Sequence, residues 1–147
     1  MSEIYCDVSF ADEYFETRYP STVWDNAEEA DKTKALHQAT RLIDNLSFAG
    51  VKGDQELEFP RGDDTEVPSN IKKATCELAY ALLDGADPEM EAQSVFQTAS
   101  VFDVVRINRH QNLVPTRVLH GIVSMYAWNL LQPFLRDPSS VTLSRSS

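Results

Sequence analysis

The sequence predicts a mainly α fold: a small helical bundle of about four helices, with one extended β segment and a flexible C-terminal tail. Three observations lead there. Apolar residues recur at three- and four-residue spacing through most of the chain. With 147 residues, 42% of them apolar, the chain can bury a real core as one domain without disulfide staples. Only the stretch Val101–Ile107 is dominated by β-branched and aromatic residues.

The first helix starts near Ser9, a candidate cap. Ala11, Tyr14, Phe15 and Arg18 follow at helical spacing, with Asp12 and Glu13 in the first turn, where the helix dipole favours acids. Tyr19-Pro20-Ser21 ends it, and Trp24 falls in a short connection. A second helix runs from about Glu28 to Ser47. Its stripe is Leu36, Ala39, Ile43 and Leu46, widened by Ala35 and Leu42, and Gly50 closes it. Residues 49–67, with three glycines and Pro60, read as a loop. Pro68 opens a third helix over about 69–84, striped by Ile71, Ala74, Leu78, Ala81 and Leu82 and closed by Gly85.

Pro88–Gln93 reads as a polar linker. The extended segment follows at about 95–107, read as a strand. Asn108–Pro115 is a turn or loop. A last helix covers Thr116–Leu135, with Leu119, Ile122, Val123, Tyr126 and Leu130 inward. Residues 1–135 thus form one domain, and the Ser-rich residues 136–147 form a flexible arm.

The formal charge is -10 and is unevenly spread. Residues 1–70 hold 16 acids against 6 bases, whereas residues 71–147 hold 7 against 7. Such a chain has no general grip on nucleic acid phosphate. The two cysteines, Cys6 and Cys76, have no neighbour in sequence to pair with and point to a reducing compartment. No basic and apolar leader precedes the first helix, and no apolar run approaches the roughly 20 residues that span a bilayer. No membrane association is expected.

Catalytic patterns are missing. There is no Gly-x-Ser-x-Gly elbow and no phosphate-cradling glycine loop. His37, His110 and His120 lack zinc-site spacing. Asp54, Glu56 and Glu58, and Asp63 with Asp64, are acidic clusters without the glycine and terminal glutamate of a calcium loop. Arg61-Gly62-Asp63 matches an adhesion tripeptide but reads better as a turn. Trp24, Phe48, Phe59 and Trp128 are the aromatics able to stack bases, yet the first three lie in the acidic half, so core or interface packing is the better reading. The expectation is a protein that binds or assembles: not an enzyme, with no cofactor and no metal.

The order of landmarks carries more. Ala11-Asp12-Glu13-Tyr14-Phe15 leads to Trp24, then Ala39-Thr40-Arg41-Leu42-Ile43-Asp44 and Phe48-Ala49-Gly50. Phe59-Pro60-Arg61, Val67-Pro68-Ser69-Asn70-Ile71-Lys72 and Cys76-Glu77-Leu78-Ala79-Tyr80-Ala81-Leu82-Leu83 follow. This set resembles the head–tail connector (adaptor) proteins of tailed bacteriophages, some relatives of which are labelled DnaT-like single-stranded DNA-binding proteins. The resemblance covers residues 5–85 well and continues loosely through Leu130-Leu131-Gln132-Pro133-Phe134-Leu135. Where such relatives often have a Gly-rich stretch, this chain has Asp137-Pro138-Ser139-Ser140.

The resemblance implies a structural virion protein at the head–tail junction, made in the host cytoplasm. It implies a homo-oligomeric ring, usually of twelve copies, that joins the portal protein to a tail or nozzle protein. DNA passes through the channel without tight binding, and an acidic lining suits that. The alternative label implies a single-stranded DNA-binding replication accessory. The expected partner-binding residues lie in two segments. Val101, Val105 and Ile107, in the extended segment, would pair with a neighbouring copy and leave no free edge. In the arm, Arg136 and Arg145 flank Val141, Thr142 and Leu143. Val141 and Leu143 alternate, so an extended arm turns both to one face, where they could add to a partner's sheet or fill a groove.

Overall fold

The computed structural model describes residues 4–105 and 116–136. Among the described residues there are seven α-helices: α1 (Val8–Glu16), α2 (Thr22–Asn26), α3 (Glu29–Asp44), α4 (Ser69–Leu83), α5 (Pro88–Val105), α6 (Thr116–Leu119) and α7 (Met125–Leu131). A 3-10 turn, Gln132–Phe134, follows α7. The mainly helical architecture is the one the periodicity predicts.

The centre of the fold is α4, which packs chiefly on α3 and α7 and more lightly on α1 and α2. The reason is its sequence. From Ala74 to Tyr80 every residue is buried, so the helix has almost no solvent side there. Leu36, Ala39 and Ile43 of α3 meet it as a fully buried stripe. Glu29 and Asp31 in the first turn of α3 and Arg41 in the last suit its dipole. The boundaries of α3 and α4 fall within three residues of their expected positions.

α1 is capped two residues earlier than Ser9 would do it. Asp7 accepts a hydrogen bond from the Phe10 N–H at 2.9 Å, placing Ser9 inside the helix. Trp24 sits in a short helix rather than a bare connection, 1% exposed and stacked on Phe15 at 4.9 Å between centroids. A second aromatic group, Tyr5, Phe48, Phe59 and Phe134, joins the N-terminal segment and the long loop to the end of the chain's last described turn.

The C-terminal half departs from expectation. Residues 88–93 are not a linker, and the segment expected to be extended is helical as far as Val105. Asp87 starts α5 by accepting from the Glu89 N–H at 2.9 Å, Pro88 fits the first helical position, and Glu89 and Glu91 favour the dipole. Helix once nucleated propagates cheaply, which overrides the local β preference of Val101 and Val105. No strand exists among the described residues; two isolated bridges, Phe48 with Leu135 and Lys52 with Arg61, are the only β pairings there.

The expected helix over Thr116–Leu135 is broken into α6, α7 and the 3-10 turn. Gly121 adopts φ +79°, a conformation that L side chains rarely take, and a Cβ there would meet Leu42 Cδ2 at 3.3 Å. Ser124 then caps α7, accepting from the Ala127 N–H at 3.1 Å. The break changes which residues face inward. Val118, Ile122, Ala127 and Leu131 are buried, whereas Leu119 and Tyr126 are exposed.

Candidate interaction surface

Two arginines organise the surface of the bundle. Arg18, just beyond α1, holds Glu77 of α4 in a two-pronged ion pair, with Nε to Oε2 at 3.1 Å and Nη2 to Oε1 at 2.8 Å. Glu77 is 3% exposed. Its remaining acceptor capacity takes a short hydrogen bond from the Tyr14 hydroxyl. The guanidinium lies 4.3 Å from the Tyr80 ring centroid and 5.3 Å from that of Tyr126. Burial pulls the Arg18 pKa down, but the hydrogen bond and charge of Glu77 outweigh it and leave the pKa raised. The pair is therefore a largely buried clamp between the end of α1 and α4.

Arg61 does the same for the long loop. It pairs with Glu58 at 2.5 Å and donates to the carbonyls of Ala49 (2.9 Å), Phe48 (3.1 Å) and Gly50 (2.8 Å). Arg61-Gly62-Asp63 is a turn whose arginine is used for folding. Asp44 ties the same loop to the N-terminus, accepting from the Tyr5 hydroxyl and from the Glu58 N–H at 2.7 Å.

Three further described cations are paired. Arg117 pairs with Glu91 at 3.1 Å and bonds the Ile122 carbonyl; Lys32 and Lys52 lie 3.8 Å from Asp12 and Glu58. Among the described residues, Lys34, Arg41, Lys72, Lys73 and Arg136 are the cations without a carboxylate partner, and they are spread over α3, α4 and the segment after the 3-10 turn. A cleft of about 420 Å³ is lined by Asp12, Phe15, Glu16, Ser21, Trp24, Asp25 and Lys32, three carboxylates to one ammonium. It repels phosphate. No three His, Cys, Asp or Glu among the described residues converge as metal ligands.

The aromatic candidates divide clearly. Trp24, Phe48 and Phe59 are buried in the core, and Trp128 is partly buried against it. The exposed large apolar side chains are others: Tyr19, Val51, Met90, Phe96, Leu119, Met125 and Tyr126. None was singled out from the sequence as a surface residue, because exposure of Tyr126 and Leu119 depends on the break at Gly121. Of the expected partner-binding residues, Val101 and Val105 lie in α5, not in a pairing strand. Ile107, Val141, Thr142, Leu143 and Arg145 lie outside the described residues, as does His110. Arg136 is exposed, its backbone N–H donating to the Ser47 carbonyl at 3.0 Å. No described helix is long and apolar enough to cross a membrane.

Burial, then the hydrogen bond and charge of Asp44, push the Tyr5 phenol far above its ordinary value near 10; burial and Glu77 do the same to Tyr14. Below pH 10 folded and unfolded chains both keep these protons, and the stabilisation is complete. Above it the unfolded chain ionises first, so stability falls as pH rises. For Tyr5 the slope reaches at most about 1.4 kcal/mol per pH unit; half-exposed Tyr14 adds less. Urea denaturation between about pH 8 and 11 measures it. Tyr5→Phe flattens the decline, and an unchanged slope contradicts the assignment.

Fold and surface define an acidic, mainly helical domain in which Arg18, Arg61 and Arg117, three of the five described arginines, are committed to internal pairs. The chain belongs to the family described as "Putative DnaT-like ssDNA binding protein", whose model matches residues 2–143. No curated protein and no solved structure matches it.

Proposed function

We propose that this chain is a structural, non-enzymatic head–tail connector of a tailed-phage virion. Copies form a ring between the portal protein and a tail or nozzle protein and leave a channel for DNA. The observation that carries this reading is α5. It runs for 18 residues, yet none of its side chains described over residues 88–97 is buried, and Met90 and Phe96 stand exposed. A long helix that offers apolar surface to solvent is a site for protein contact. The acidic surface and paired arginines suit a channel that DNA slides through. The arm beyond Arg136, with Val141 and Leu143, and the segment through Val101, Val105 and Ile107 are the docking elements of this reading.

A second reading, a single-stranded DNA-binding replication accessory, is favoured by the family's description. Tyr126 and Tyr19 would be its stacking residues, since both are exposed and the Tyr126 ring lies against the Arg18 guanidinium. It lacks a cationic groove among the described residues, so it ranks below the first.

Mixing the purified protein with the portal of its own phage tests the proposal. Electron microscopy should reveal a ring on the portal, and a chain cut after Arg136 should melt at nearly the same temperature but fail to attach. A protein that forms no complex with that portal contradicts the connector reading.

A further inference from the structure

Cys6 and Cys76 are 70 residues apart in sequence, yet their sulfurs lie 3.4 Å apart in the core. Both are free thiols, 4% and 0% exposed. The contact is built from both sides. The Tyr5 N–H before Cys6 donates to Thr40 Oγ1 at 3.1 Å, and the Tyr5 hydroxyl bonds Asp44. Asp7 after it caps α1. Cys76 is fixed mid-helix in α4, the most buried element. A thiol held against a sulfur that carries a mixed disulfide attacks it far faster than a thiol free in solution.

We infer that Cys6 and Cys76 are a disulfide site, closed by a small-molecule disulfide oxidant, that locks the N-terminal segment onto α4. Bond formation requires the sulfurs to close from 3.4 Å to about 2.05 Å. Cys6 lies in an irregular segment between Tyr5 and the start of α1, so the movement falls on a part of the chain outside any helix. Cys6, the less buried thiol, attacks one sulfur of oxidised glutathione, giving a mixed disulfide and one released glutathione. The Cys76 sulfur then attacks Cys6 Sγ, and the second glutathione leaves with the Cys76 proton. Two protein thiols are oxidised and one glutathione disulfide is reduced to two thiols. In the reduced protein the hydrogen bond with Cys6 and burial push the Cys76 thiol up. The site is independent of the proposed function.

The test treats the full-length reduced protein with oxidised glutathione, then denatures and alkylates it with N-ethylmaleimide. The expected product is a monomer lighter by two hydrogens, with no alkylation and a cross-linked peptide joining Cys6 to Cys76. Closing so long a loop should raise the melting temperature on the order of 10 °C, and a phosphine reductant should reverse the rise. Cys76→Ala should stop at the mixed disulfide on Cys6 and lose the rise. Two alkylated thiols, a persistent mixed disulfide on the wild-type chain, disulfide-linked dimers, or the same rise in Cys76→Ala would each overturn the inference.

Discussion

Replacing Arg18 by alanine destabilises the fold by about 3–5 kcal/mol, the expected cost of stranding one member of a buried ion pair. The size follows from where Glu77 sits. Its side chain is 4% exposed, on the helix that α1, α2, α3 and α7 pack against, so it cannot regain water when its partner is removed. The loss goes beyond charge, because the guanidinium also packs over Tyr80 at 4.3 Å and donates to the Pro20 carbonyl at 2.6 Å. Arg18→Lys keeps the charge but not the two-pronged bond or the flat stacking face, and should fall between wild type and alanine. Urea denaturation reads all three. A loss below about 1 kcal/mol for the alanine variant would place this pair with solvent-exposed salt bridges and contradict its role as a clamp on α4.

Trp24→Ala carries a loss of similar size, about 3–5 kcal/mol, from a different cause. The ring is 1% exposed, stacked on Phe15, and covered by Lys32 at 5.0 Å. Its Nε1 donates to Asp12 at 2.8 Å. Alanine leaves a cavity at the junction of α1, α2 and α4 and removes the donor. Trp24→Phe retains the stacking and loses only the donor and part of the volume, so it should cost well under half as much. Equal losses for the two variants would mean that the hydrogen bond, not the packing, holds this corner.

These residues also mark how far sequence reasoning reaches. α3 and α4 were legible because a strict apolar stripe is bounded by residues with a conformational reason to be there, Pro68 at one end and Gly85 at the other. α5 was not, because its register is decided at Asp87-Pro88-Glu89, more than ten residues before the β-branched run that dominates the local pattern. The break at Gly121 was equally hidden. A glycine near a helix end reads as weak helix, and only the approach of Leu42 explains why it turns. For the surface, the committed arginines had a signal that went unused. Glu77 sits at the heart of an apolar helix, between Ala74 and Ala81, and a carboxylate in that place requires a cation from elsewhere in the chain. Which cation it takes depends on a contact across 59 residues. The meeting of Cys6 with Cys76 depends in the same way on tertiary packing, so two cysteines without sequence neighbours read as unrelated thiols.

The charge argument and the family's description lead to opposite results with DNA, which makes direct binding the decisive measurement. Half of the described cations are paired with carboxylates, the rest are scattered, and the acidic cleft and chain repel phosphate. Fluorescence anisotropy with a labelled single strand of about 30 nucleotides, near physiological salt, measures this directly. The predicted result is no saturable binding at micromolar protein. Submicromolar affinity that falls steeply as salt is added would contradict the connector reading and establish the DNA-binding one.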